Sequence, residues 1–325
     1  MKTRSMWALV SGIAVLLIAA TSSAFASASP SILGLYPKDV GEFAYADLKA
    51  LRSFRFFAEL KRQLLPQRFQ LFEDFLASAG IRPEFDLDEL TWAAVPPGPD
   101  RGEQILGVAV GRFAPDSVNR YFERQKLPSV NYRGTTFYAF GSGIGPGDIF
   151  FAFIDSNTAA FGHRQALENL MDVRFGQQES LLRNDSLLGL INQANGKGPI
   201  WAVMAGGYVR RAFSQLMPDA ERFGDFDKLV STVQALAIDA RLEKGLDANF
   251  TLVCPSMDEA NNLSALLQAG FLYQRWQNAE SNPELAKALE SARVLPSGNQ
   301  VQIHMSMSEE TLQVLILKNI FATKL

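Results

Sequence analysis

Cysteine and histidine are almost missing from this chain: 325 residues carry one cysteine, Cys254, and two histidines, His163 and His304. A single cysteine excludes an intrachain disulfide framework and any thiolate metal cluster. Neither histidine has a His or Cys partner at ligand spacing, and no His-Glu-x-x-His string occurs, so a histidine-built zinc site is excluded. The usual nucleophile settings are lacking too, since there is no Gly-x-Ser-x-Gly elbow and no Ser-x-x-Lys string. Two carboxylates that meet only in space need no sequence spacing, so hydrolysis by paired acids stays open. Excess positive charge is also wanting. The formal net charge is −3, and without Lys2 and Arg4 of the N-terminal segment it falls by two to −5. Such a chain lacks the positive field that drives non-specific nucleic-acid binding, so DNA and RNA are not expected partners.

Hydrophobic residues make up 47% and charged residues 20%, which excludes a disordered chain and supplies a sizeable core. The N-terminus carries the most specific signal. Lys2 and Arg4 precede an apolar run from Trp7 to Ala20, and Ala24-Phe25-Ala26 supplies a small-x-small cleavage pattern. Residues 1–26 therefore read as a cleaved export signal, with Ala26-Ser27-Ala28 an overlapping second site. The run is shorter than the roughly 20 residues that cross a bilayer, and no later run comes near that length. No cysteine lies beside the cleavage site, so lipoprotein attachment is not expected. The mature chain is expected to be soluble and periplasmic or extracellular, with no transmembrane segment.

Periodicity predicts an α+β fold of two related halves built of strand-strand-helix units, with mainly antiparallel sheets covered by helices. In the clearest unit, Val301, Ile303, Met305 and Met307 alternate with polar residues, which places His304 on a wet face. Arg293 to Pro296 precede this strand across Ser297-Gly298-Asn299, and Ser306-Met307-Ser308-Glu309 resembles a capping box before Leu312, Leu315, Ile316 and Ile320. A second unit runs from Leu236 to Leu242, turns at Lys244-Gly245 and returns through Phe250, Leu252 and Cys254, which makes Cys254 a small core hydrophobe. Ser256-Met257-Asp258-Glu259 then caps a helix bearing Leu263, Leu266, Leu267 and Phe271. Trp92–Val95 with Leu106, Val108 and Val110, ahead of a helix from Pro115, form a third unit. Thr136–Tyr138, Ile149–Ile154 and Thr158–Phe161, ahead of a helix bearing Leu167 and Leu170, form a fourth. A strand at Phe43–Ala46 is echoed by Ile200–Ala205 and a helix from Tyr208 to Met217. The boundary falls at Asn195-Gly196-Lys197-Gly198-Pro199, giving halves 27–195 and 196–325 with room to form one unit.

Three stretches are candidates for function. Gly141, Gly143, Gly145 and Gly147 resemble a phosphate loop, but lack the Gly-Lys ending and precede a strand; they read as a hairpin loop able to act as a flap. Arg52, Arg55, Lys61 and Arg62 accompany Leu51, Phe54, Phe57, Leu60 and Leu64 at helical spacing. That is either a basic surface for anionic lipid or an acidic partner, or the solvated side of a core helix. Asp86-Leu87-Asp88-Glu89 lacks the calcium-loop pattern and reads as a solvated turn before a strand. No catalytic, cofactor-binding or metal-binding residue emerges.

Leu35-Tyr36-Pro37, Phe43-Ala44-Tyr45-Ala46-Asp47, Gly111-Arg112-Phe113, Tyr132-Arg133-Gly134 and Phe153-Ile154-Asp155 span most of the mature chain. In these short motifs the chain resembles uncharacterised exported bacterial proteins of domain-of-unknown-function families, and the resemblance implies no activity. Together the features point to an exported, non-enzymatic binding or scaffold protein of the cell envelope with a protein or lipid partner and no cofactor. One alternative is a carrier or sensor of an apolar ligand such as a lipid, suggested by 24 Phe; a second is a hydrolase using paired carboxylates.

Overall fold

The structure, a computed structural model, describes residues 26–95, 104–145, 147–210, 230, 232–242 and 245–319. The export segment up to Phe25, the Pro/Gly-rich loop after Val95, Pro146, Lys244 and Ile320 lie outside the described residues, as does the continuation to Met217 of the helix opened at 207–210. The fold is α+β, the chain divides into two units, and the strands paired within each unit are antiparallel. An amino unit takes 26–49 and 67–195; a carboxy unit takes 50–66 and 196–325.

The amino unit opens with helix α1 (Pro30–Leu33) and strand β1 (Glu42–Asp47). Helices α2 (Leu48–Leu51) and α3 (Phe57–Leu64) follow on the segment that joins the carboxy unit, and the chain returns in α4 (Gln67–Ser78) and α5 (Pro83–Asp86). Strands β2 (Leu87–Val95) and β3 (Gln104–Gly111), helix α6 (Pro115–Arg124), strands β4 (Ser129–Tyr132), β5 (Thr135–Phe140), β6 (Ile149–Phe153) and β7 (Thr158–Gly162), then helices α7 (Arg164–Arg174) and α8 (Asp185–Ala194) complete it. The sheet order is β1-β2-β3-β7-β6-β5-β4.

The carboxy unit contains β8 (Ile200–Ala205), β9 (Ala235–Arg241), β10 (Gly245–Val253), α9 (Met257–Asn278), α10 (Pro283–Glu290), β11 (Arg293–Ser297), β12 (Gln300–Ser308) and α11 (Glu309–Leu317). Its strand order is β8-β9-β10-β12-β11. This repeats the amino order β1-β2-β3-β7-β6, with a helix after the third strand and another after the last. Both halves therefore follow one plan; the amino half adds the hairpin β4–β5 at its edge. Alternation along the sequence did not single out β4. Its pairing with β5 turns through Arg133-Gly134, both at positive φ (49° and 79°), a two-residue hairpin turn.

Phenylalanine fills the amino core. Phe72 and Leu76 of α4 and Val118 and Phe122 of α6 pack on Tyr138, Phe151 and Ala159 of the sheet, with Phe75 stacked on Phe122 at 5.2 Å. Gly107 faces Phe161 in the β3–β7 register, and a Cβ at 107 would lie 2.2 Å from the Phe161 ring, so only glycine lets that ring cover the strand.

Two local expectations differ from the structure. β12 stays paired with β10 as far as Ser308, opposite Gly245, so the cap of α11 is Ser308 accepting from the Thr311 N–H rather than Ser306. Ladder hydrogen bonds held the backbone extended past the residues that looked like a box. Asp86 closes α5, but Leu87, Asp88 and Glu89 belong to β2, where Glu89 pairs with Asp47 of β1. That stretch is sheet, not a solvated turn.

Candidate functional site

Helix α9 begins as the sequence signals. Ser256 caps it by accepting from the Glu259 N–H at 3.2 Å, with Asp258 and Glu259 in the first turn against the helix dipole. Ala260, Leu263, Ser264 and Leu267 are buried. Because Gln302 and Leu295 are exposed on the other side of β11 and β12, this part of α9 lies on the sheet's apolar face, and Gln268 Nε2 anchors it to the Val294 carbonyl at 2.9 Å. From Gln268 to Asn278 no residue is buried. About three further turns carry Leu272, Tyr273 and Trp276, which are 64%, 42% and 74% exposed. The Tyr273 and Trp276 rings lie 6.4 Å apart and tilt by 39°. Gln277 Nε2 donates to the Tyr273 hydroxyl, Asn278 Nδ2 donates to the Gln274 carbonyl, and Arg275 pairs with Glu290 of α10 at 3.1 Å. Leu272, Tyr273, Trp276 and Gln277 share one face by their spacing. Apolar helix faces are normally turned inward. Covering each of these side chains would return roughly 1.5–3 kcal/mol at full burial. An exposed cluster of large apolar groups marks a contact surface.

The polar face of the carboxy sheet carries a cross-strand ladder. Asn249 Nδ2 donates to Asp239 Oδ2, and Asn249 Oδ1 meets His304 Nδ1, both at 2.9 Å; His304 Nε2 lies 3.7 Å from Asp247 Oδ2. Only the register β9-β10-β12 aligns these residues, and no local motif announces them. Among the described residues no group of three or more His, Cys, Asp or Glu stands together to hold a metal ion.

Two acids face each other in the amino sheet. Asp47 is buried and Glu89 half-buried, directly opposite in register. Burial, then the charges of Asp47 and Asp88, push the Glu89 carboxyl above its usual range, partly offset by the neighbouring Tyr45 hydroxyl. Beside them the Tyr36 hydroxyl donates to Thr91 Oγ1 at 2.8 Å, and Thr91 donates to the Val108 carbonyl at 3.1 Å. Like charges opposed on a sheet work against its pairing.

The glycine loop joins β5 to β6 and closes on Asp148. Its carboxylate accepts from the Ser142 hydroxyl and the Gly145 N–H, each at 2.9 Å. Partial burial works against ionisation, but these bonds and the backbone N–H groups of Gly143 and Ser142 hold Asp148 below its usual range. Gly141 and Gly143 adopt positive φ, Gly147 lies beside the Arg68 guanidinium, and Ile144 at the tip is 93% exposed. The internal carboxylate takes the place a phosphate would need.

The basic residues Arg52, Arg55, Lys61 and Arg62 all fall in the carboxy unit. Arg62 pairs with Glu59 and Arg55 lies over the Phe56 ring, while Leu60 and Leu64 are buried. The Phe-rich pattern that continues into α4 is divided between the units: Phe72 and Phe75 lie in the amino core. His163 Nδ1 accepts the Ile105 N–H at 2.9 Å, and burial followed by the Arg68 charge lowers its pKa. Cys254 is buried, and burial pushes its thiol up.

The chain matches no protein-family model and no curated protein. Among solved structures it is similar to crystal form I of TP0453, with a TM-score of 0.51 and 11% identity over 90% of this chain and 98% of that one. Crystal form III matches at a TM-score of 0.46 and 10% identity, over 90% and 99% of the two chains. At this identity the likeness to crystal form I is one of fold alone.

Proposed function

We propose that this is an exported, non-enzymatic binding protein of the cell envelope, and that the exposed face of the second half of α9 is its contact surface. The observation that carries the reading is the exposure of Leu272, Tyr273 and Trp276 on a helix whose other half is packed. Export follows from the N-terminal segment, with its basic start, apolar run and Ala24-Phe25-Ala26 site. Among the described residues no helix is long and apolar enough to cross a membrane, so attachment to the envelope falls to a surface such as this one. Of the two alternatives, the carrier reading draws less support, because Phe72, Phe75, Phe122 and Phe151 pack on one another in the core. Fractionation of producing cells tests the proposal. Processed protein should sediment with the envelope, and a Leu272→Ser/Trp276→Ser variant with unchanged circular dichroism should move to the soluble fraction. Unprocessed protein in the cytoplasm, or equal retention of the variant, would overturn it.

A further inference from the structure

The amino unit carries a second surface, at the free edge of its sheet. Strand β4 pairs with β5 alone and ends the strand order. Tyr132 and Thr135 close the two-residue turn, and the Ala139 N–H donates to the Pro128 carbonyl at 2.8 Å. Hydrogen-bonded pairs alternate along an antiparallel ladder, so Pro128, Val130 and Tyr132 turn their backbone groups toward β5 while Ser129 and Asn131 turn theirs outward. Both outward residues are exposed, and among the described residues no hydrogen bond reaches their outward groups. The carboxy unit treats its own free edge differently. Ser297 and Gln300 close the turn between β11 and β12, so the same alternation turns Val294 and Pro296 outward. Gln268 occupies the Val294 carbonyl, Pro296 has no N–H to give, and Arg293 puts a charge on the strand. Residues 128–132 hold no charge, and the adjoining Arg133 is drawn to Asp172 at 2.6 Å. Donors and acceptors left open at strand spacing are matched by another extended strand. A second copy of β4 fits residue by residue. With Val130 on a two-fold axis, Ser129 of each copy meets Asn131 of the other and exchanges both backbone bonds with it. The hydroxyl and the amide complement each other, Val130 meets Val130, Tyr132 meets Pro128, and no charge within the strand opposes its like across the axis.

We infer that β4 is a self-association edge, through which two copies of this chain join antiparallel about Val130. Only Ser129 and Asn131 face outward, so the association is of the weak, transient kind. The test is sedimentation velocity of the mature protein from about 1 to 500 µM, where a weak interface fills. Wild type should pass from monomer to dimer across that range. Asn131→Pro removes an outward donor and leaves the ladder with β5 intact; it should weaken dimerisation at least about tenfold, with circular dichroism unchanged. In Val130→Cys the paired Cα atoms would stand about 4.5 Å apart, within disulfide reach, so mild oxidation should link the dimer, and adding Asn131→Pro should slow the linking. Cys254 is buried, so wild type should stay unlinked. The Leu272→Ser/Trp276→Ser variant should dimerise as wild type does, which separates this edge from α9. A monomer at the highest concentration, a dimer indifferent to Asn131→Pro, or failure of Val130→Cys to link would overturn the inference. Loss of the dimer in the α9 variant alone would overturn it too, by placing self-association on α9. The fractionation experiment reads α9 and not β4, so either reading can fail without the other.

Discussion

Replacing Glu89 by Gln should stabilise the protein at neutral pH, although it alters a half-buried residue of the sheet. Glu89 stands opposite Asp47, and burial together with the Asp47 charge raises its pKa. A carboxyl raised in the folded state contributes stability that is fully present below its ordinary value and is lost as pH rises through the raised one. Ionisation of Glu89 as pH rises therefore sets a partly desolvated charge directly opposite Asp47. Gln removes one charge and keeps the length and shape of the side chain. Relief of a like-charge cross-strand pair is worth about 0.5–1 kcal/mol. With a urea slope of about 2 kcal/mol/M, the midpoint should rise by roughly 0.2–0.5 M at unchanged slope. In acid, where Glu89 is protonated in both folded and unfolded chains, the two proteins should unfold together. Urea denaturation followed by far-UV circular dichroism at neutral and acid pH gives both comparisons. A variant less stable than wild type at neutral pH would refute the reasoning, because it would mean that the Glu89 charge is compensated by a favourable partner.

Gly107→Ala should destabilise the amino unit by about 1–3 kcal/mol, because its Cβ would meet the Phe161 ring. Thermal unfolding checks this, and Phe161→Leu in the same chain should recover part of the loss. Asp148→Asn should raise amide exchange at Gly145 about fivefold at neutral pH, on the ~1 kcal/mol difference between charged and neutral hydrogen bonds. Since the Asp148 pKa is lowered, the loop's extra protection is fully present above the usual carboxylate range and lost as pH falls through the lowered value, so wild type and variant should converge in acid below it.

Local pattern carried the elements because their causes are local. Val301, Ile303, Met305 and Met307 alternate along β12 since one side of a strand is buried and the other is wet, and Ser256 starts α9 because its hydroxyl reaches an N–H three residues on. The capping string at Ser306 misled for a complementary reason: strand pairing across 245–308 competed with the cap and prevailed. The candidate contact surface was only half legible. The sequence places Leu263, Leu267 and Phe271 on an apolar side of α9, but whether Leu272 and Trp276 are covered depends on where neighbouring elements end.

By itself, the amino-acid sequence determined the α+β class, the repeated order of strands and helices, the acidic balance and the scarcity of nucleophile and metal motifs. Composition, period and short-range hydrogen bonding govern these properties. Tertiary structure alone decided that Glu89 faces Asp47, that Asp239, Asn249 and His304 form one ladder, and that Asp148 closes the glycine loop on itself. It also decided that residues 50–66 pack with the carboxy unit and that Leu272 and Trp276 of α9 stand exposed. Each depends on register or packing between segments distant along the chain, and periodicity within one segment says nothing about what stands opposite it.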